Sequence, residues 1–353
     1  MLSTLSKLAD KNFVVGYFVP TLLGLIAVAW TFPGLLALAE LHNILATDDV
    51  LKKLIYVGLP VWFSAIILMT ANYWLYRIFE GYLPPAAWLW FRTKMHKGKL
   101  RELQKRAETE KNDSEFLKLR LRLQNDYPPL ENLVKPTKFG NRIQAFEAYP
   151  ALTYGADAVG VWPRLTSVIP KDFLGAIEDA RAQVNFYMNI SFLAGLLFIV
   201  DAVVISCHLA QQACLLCPSA TSGSVPFEAL LYFEDYRILC SAVLALIMSF
   251  LSYRFATSAI LGWGELIRAA FDCYLPRLIA QLGYKTPPRP EDRKRFWTEF
   301  SQLVLYGDRI GPWPVDQTAE TKGEENRSDR IDGSPGDPDE DTENLPSGPD
   351  DDK

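Results

Sequence analysis

Apolar residues are bunched rather than spread along this chain. Four long runs stand out: about Phe13 to Leu41, uncharged from Phe13 to Ala39; Leu54 to Tyr76; about Tyr187 to Leu209; and about Ile238 to Trp263. Each reaches the roughly 20 helical residues that cross a bilayer's hydrocarbon core. Pro20 and Pro33 interrupt the first run, which a membrane helix tolerates when a neighbour satisfies the freed carbonyls. Trp62, Tyr73 and Trp74 lie near the ends of the second, at the level where aromatic rings suit a membrane–water interface. Four buried helices of a soluble globule are the plainer alternative, but four such runs with interfacial aromatics are hard to hide in a chain of this size. Ala37-Leu38-Ala39 resembles a signal-peptide cleavage site. The apolar run before it is well beyond the ~7–15 residues of a signal core, so an uncleaved anchor is expected.

Between the second and third runs the pattern changes. Gly81 to Phe91 combines two prolines with clustered aromatics, as a segment lying in the interface would. From Lys94 to Gln124 leucines recur among charges, with a break and helix start at Asn112-Asp113-Ser114. This helical hairpin either binds a partner or anionic lipid, or is a stalk whose apolar stripe packs on its own domain. Pro136 to Leu165 is rich in Gly, Pro and aromatics and lacks a long helical period, so a tight irregular connection is expected, with turns at Gly140 and Gly155. Pro170-Lys171-Asp172 starts a helix that runs into the third span. Gly264 to Gly283 is amphipathic and either lies along the membrane surface or packs on the middle block. Glu291 to Tyr306 reads as one further helix, with Phe296, Trp297, Phe300, Leu303 and Val304 on one face.

The pattern predicts an all-α, four-helix transmembrane protein. Residues 1–80 form a first membrane hairpin, 81–185 a cytoplasmic helical block, and 186–263 a second hairpin. Residues 264–314 return to the cytoplasmic domain, and 315–353 form a disordered acidic tail.

Charge sets the orientation. Residues 311–353 carry fourteen acids and four bases, a net of −10; the whole chain is −5, so residues 1–310 carry +5. A tail so acidic and poor in large apolar residues is expected to be disordered. Lys and Arg follow the second and fourth runs and precede the first, whereas the short loops 42–53 and 210–237 hold few. The positive-inside rule then puts both termini and the middle block in the cytoplasm. A basic body facing anionic lipid is ordinary for a membrane protein. The basic residues lack the interleaved aromatics and fold signature of a nucleic-acid module, so no nucleic acid is expected. The expected partners are the bilayer and, on the cytoplasmic side, a protein or a second copy.

Three sets of residues carry candidate chemistry. Tyr149, Tyr154, Asp157, Trp162 and Arg164 could line a shallow site, joined by Glu265, Arg268 and Asp272 if the amphipathic segment packs there. The plainer reading gives Arg164 an acidic partner and Trp162 the membrane surface. Glu265 and Arg268 stand at i, i+3, as a surface ion pair would. Asp201 is an acid inside an apolar run, which by default marks a proton or ion site; Arg254, Ser64 and Thr70 are its conceivable partners. Cys207, Cys214, Cys217 and Cys240 cluster toward the outer side, where disulfides form, with three pairings possible. Cys214-x-x-Cys217 with His208 lacks the second close pair of a zinc site, and no metal is expected. No nucleophile elbow, phosphate loop or dinucleotide fingerprint is present, so no cofactor is expected.

Asp10–Pro20 (DKNFVVGYFVP), PTKFGN from Pro136, YGADAVGVWPRL from Tyr154 and Gly264–Gly283 together resemble a group of bacterial integral membrane proteins without assigned function. The resemblance extends to about Gly307. It implies membrane topology and bacterial origin, with no catalytic assignment. The function expected is a scaffold or regulatory protein presenting a helical domain. A channel or transporter centred on Asp201, or a membrane enzyme acting on lipid-linked substrate, are the alternatives.

Overall fold

The computed structural model describes residues 11–32, 54–82, 86–216 and 236–314. These are helical, with no strand among them. Helix α1 is Lys11–Thr31, α2 is Leu59–Thr70 behind a π-helical turn Leu54–Gly58, α3 is Asn72–Glu80 and α4 is Ala86–Thr109. Then come α5 Asp113–Asp126, α6 Lys138–Tyr154, α7 Ala158–Leu165, α8 Lys171–Leu216, α9 Tyr236–Gln281 and α10 Pro290–Tyr306.

Helices α1, α8 and α9 are long and apolar enough to cross a membrane. The second predicted span is a bent pair: α2 and α3 meet at Ala71 at an angle of 54°, and count as a fourth only if taken together. Leucines, isoleucines, valines and phenylalanines point outward from the apolar helices, among them Ile67 at 68%, Ile199 at 58% and Phe250 at 58% exposure. So continuous an exposed apolar belt is what a chain dissolved in lipid presents.

The spine is the pair α8–α9, each 46 residues or about 69 Å long at 1.5 Å per residue. They run antiparallel: Phe173 meets Tyr274, Tyr187 meets Phe255, and Ser191 meets Ser249. Neither helix breaks where its apolar part gives way to charge. The amphipathic stretch from Gly264 is therefore the continuation of the fourth predicted span, and it packs on α6 of the middle block. Helix α1 lies parallel to α8, with Lys11 paired to Asp179 at 2.8 Å and Gly24 against Leu193.

A π-helical turn, Val14–Phe18, interrupts α1 two residues before Pro20. Proline has no N–H for the Gly16 carbonyl and its ring would strike it. The wider turn relieves that clash, and Asn189 Nδ2 of α8 donates to the orphaned Gly16 oxygen at 2.7 Å. Pro60 likewise follows the π-helical turn Leu54–Gly58.

The middle block is more regular than its composition predicts. Pro136–Leu165 is mostly two helices, α6 and α7, each carrying an internal proline, Pro150 and Pro163. Their capping explains why: Thr137 accepts from Gly140 N, Asp157 accepts from Gly160 N, and Gly155 at φ 78° ends α6. Gly140 is not a turn. It sits in the first turn of α6, where a Cβ would come within 2.7 Å of the Glu80 carbonyl, so it lets α6 touch the end of α3. Helices α4 and α5 form the expected hairpin, with Asn112 as N-cap. Part of its apolar stripe closes on itself through Leu100, Tyr127 and Val134. Helix α10 buries Phe296, Trp297 and Phe300 as predicted, and Glu299 ties the segment that follows it back onto the helix by accepting from Trp313 Nε1 and Gly311 N. The predicted acidic tail, the loops around 42–53 and 217–235, and the Ala37–Ala39 segment lie outside the described residues.

Candidate functional site

The charged half of α9 faces α6, and their polar side chains meet. Asp272 accepts from Tyr154 at 2.7 Å and from Tyr149 at 3.0 Å, both phenols reaching across from α6. One turn back on α9, the buried Arg268 donates to Asn125 Oδ1 and to the Gln124 carbonyl, both at 2.9 Å, at the end of α5. Its guanidinium lies 5.7 Å from the Tyr149 ring centre and 3.5 Å from the exposed Glu265 carboxylate. Tyr149, Tyr154, Glu265, Arg268 and Asp272 thus converge, from helix faces that sequence spacing alone does not bring together.

Asp157, Trp162 and Arg164 do not join them. Asp157 caps α7, and its backbone N–H donates to Ser301 Oγ of α10 at 2.8 Å. Trp162 packs on Phe271 with ring centres 6.0 Å apart. Arg164 is exposed and donates to the Gly160 carbonyl of its own helix rather than to an acid.

The converging set is a latch. Burial raises the pKa of both phenols, and their bonds to Asp272 push in the same direction. Each tyrosine therefore stays a protonated donor at neutral pH. A cavity of about 350 Å³ opens next to Tyr154 and Asp272, edged by Arg293 and Lys294. Lys294 is already held by the Leu152 carbonyl at 2.8 Å.

Sequence reasoning missed Glu147. It sits on α6 beside an apolar hollow formed by Phe146, Trp162, Trp263 and Phe271. Burial, helped by the nearby Glu80 carboxylate, pushes its pKa up to about 7. Arg142 was also missed: it is buried, pairs with Asp126 at 2.6 Å and donates to the Thr257 carbonyl, tying α5 and α6 to α9. A lone arginine or glutamate in a mixed helix carries no signal of burial.

In the apolar half, Asp201 is fully buried where α8 meets α9. Both carboxylate oxygens are shut from solvent and have no hydrogen-bond partner among the described residues. The Ser241 hydroxyl stands beside it as the nearest donor and is also paired with Thr31 at 2.8 Å, a contact in which either oxygen can donate. None of the expected partners is there: Thr70 bonds its own helix at the Ile66 carbonyl, and Arg254 lies over Phe250. Asn185 and Asn189 were overlooked as ordinary polar residues. Asn185 links Tyr17 and Tyr76, accepting from Tyr76 at 2.9 Å and donating to Tyr17 at 3.1 Å, so that α1, α3 and α8 share one buried polar chain. Cys207 and Cys240 are exposed thiols not bonded to each other. The side chains of Cys214 and Cys217 lie outside the described residues.

No protein-family model, curated protein or solved structure matches this chain, so what it does is argued from its own side chains.

Proposed function

We propose that this chain is a multi-pass protein of a bacterial inner (plasma) membrane. It has four spans in two hairpins, both termini in the cytoplasm and a disordered acidic tail. Its role is that of a scaffold or regulator presenting a cytoplasmic helical domain to a protein partner or a second copy. The observation that carries this is the continuity of α8 and α9, which pass from an outward-facing apolar belt into a charged half without a break. A domain built on two such helices moves with them, which suits a platform better than a tethered enzyme. The level of the polar contacts agrees with that orientation: Lys11 meets Asp179 and Tyr76 meets Asn185 toward one end of α8.

The latch between α6 and α9 argues in the same direction. Its polar groups bond one another, so that Tyr154 and Asp272 are engaged even where they edge the neighbouring cavity. On α5, by contrast, Leu117 and Leu121 stand one turn apart at 59% and 50% exposure. That stripe is the surface offered to the partner. Affinity capture from detergent-solubilised membranes, with the complex sized in the same preparation, tests it. A partner or oligomer retained by the natural chain and lost from the Leu117→Glu, Leu121→Glu variant is expected. Capture that is absent, or equal in both chains, would contradict the scaffold reading.

A transport role is favoured by one observation only, the buried carboxylate of Asp201 without a hydrogen-bond partner among the described residues. Such a group in hydrocarbon is costly and marks an ion or proton path. Flux through reconstituted vesicles that falls on Asp201→Asn would establish transport; flux equal in both chains would remove it.

A further inference from the structure

The fold builds a pocket that the latch and Asp201 do not use. Where the α4–α5 hairpin meets the start of α6, a cavity of about 300 Å³ is lined by the cations Lys99, Arg106, Arg122 and Lys138, the acids Glu102 and Asp126, and the rings of His96 and Tyr127. The acids around it are already taken. Glu102 is paired with Arg106 one turn along α4. Asp126 is gripped by the buried Arg142 at 2.6 Å, and stands 3.8 Å from Arg122 and 4.0 Å from Lys138. Lys99 has no ion pair among the described residues. Two carboxylates, Glu102 and Asp126, thus stand against five cations, Lys99, Arg106, Arg122, Lys138 and Arg142, which leaves an excess of three positive charges around one hollow.

Two neutral groups complete the lining. His96 is 6% exposed, its Nε2 has no partner among the described residues, and its Nδ1 lies 3.4 Å from the Tyr127 hydroxyl. Burial, followed by the charges of Arg92, Lys99 and Lys138, holds His96 down at about 4. Lys138 is depressed as well, first by burial and then by Arg142. Burial is the first cause of both shifts, and the neighbouring cations add to it. At neutral pH the pocket therefore offers a neutral imidazole bonded to a phenol, a pair that keeps one N–H or O–H free to donate, among several positive charges. That is the donor set a phosphate group takes.

We propose that this pocket binds a phosphoester anion through Lys99, Arg122, Lys138 and the buried His96–Tyr127 pair. Two sources share that chemistry, an anionic phospholipid headgroup and a free phosphate compound. Basic pockets beside membrane helices on the cytoplasmic side bind lipid headgroups. Here Arg142 ties the same corner to Thr257 on α9, one turn from Arg254. The lipid source rests on the topology proposed above; the free-phosphate source does not.

The test uses the full-length chain in a neutral detergent, titrated separately with phosphatidylglycerol, phosphatidylcholine and inorganic phosphate, with bound species counted by native mass spectrometry. The comparison variant is Lys99→Gln, Arg122→Gln, whose two positions are exposed, so that the fold is not at stake. Lys105→Gln, Lys111→Gln removes the same charge toward the far end of the hairpin and serves as control. Saturable binding of one phosphatidylglycerol, stronger than phosphatidylcholine, unchanged in the control and weakened about tenfold or more in the pocket variant, supports the proposal with lipid as the source. The same loss seen with inorganic phosphate and not with phosphatidylglycerol supports it with a soluble source. No saturable binding of either anion, or equal binding by the pocket variant and the control, overturns it.

Discussion

Helices α8 and α9 are held together in two different ways along their length. In the charged half the contacts are aromatic and large: α8 meets α9 through Phe173 on Tyr274 at 5.5 Å, and α9 is further held by Trp162 of α7 on Phe271 at 6.0 Å and Phe146 of α6 on Trp263 at 5.1 Å. In the apolar half, past the contact of Tyr187 with Phe255 at 5.5 Å, they are small and polar. Ser191 and Ser249 each donate to the other's backbone carbonyl at 2.9 Å, Gly195 lets Ser249 approach, and the large apolar side chains face outward. Water explains the first arrangement, because burying phenylalanine surface there is favourable. It cannot explain the second. Between helices already dissolved in hydrocarbon there is no hydrophobic gain, so close packing of small residues and hydrogen bonds does the holding. One pair of helices thus carries two kinds of packing, the pattern expected of a chain that meets water at one end and lipid at the other.

The sharpest way to break this comparison is to truncate a phenylalanine in each half. Phe271 is fully buried and Phe250 is 58% exposed. Phe271→Ala is expected to lower stability by about 3–5 kcal/mol, and Phe250→Ala by close to zero, in unfolding followed by tryptophan fluorescence in mixed micelles. Comparable losses would mean that the outward face is not in lipid. Next comes Asn189→Leu, which leaves the Gly16 carbonyl orphaned beside Pro20 and is expected to cost about 1–2 kcal/mol. The same titration reads it, with faster proteolysis of α1 as a second sign. Tyr154→Phe removes one of the two donors to Asp272 and should cost about 1 kcal/mol. Tyr154→Ala should cost more through lost packing.

The smallest effect is one of pH. Glu147 has a folded pKa raised to about 7 from an ordinary value of 4.5. The folded chain therefore binds this proton more tightly than the unfolded one. Its contribution to stability is fully present below about pH 4.5 and is lost as pH rises through about 7. Glu147→Gln should narrow the stability difference between pH 5 and pH 8. A variant with the natural pH profile would show that this carboxyl does not titrate in that range.

Much of this fold is legible in the sequence because hydrophobic period and length report on it directly. The three long apolar helices, the Asn112 break and the buried face of α10 all follow from spacing. Pro136–Leu165 was not legible, since its helices depend on caps at Thr137 and Asp157 and on the Gly140 approach to α3, which outweigh their prolines. The latch was half legible. Tyr149, Tyr154, Arg268 and Asp272 stand out as polar groups on mixed helices, but only the folded faces decide that they meet and that Arg164 does not. Asn189 escaped notice because its purpose is defined by Pro20, some 170 residues away.

The native thiols offer the most direct test that lipid surrounds the apolar half and water the charged half. Cys240 and Cys273 are both exposed on α9, about 50 Å apart along a continuous helix, more than the ~30 Å hydrocarbon core. In chains keeping only one of them, a membrane-impermeant maleimide is predicted to reach Cys273 only from the cytoplasmic face and Cys240 only from the opposite face. Labelling of both from the same side of sealed vesicles would contradict the account.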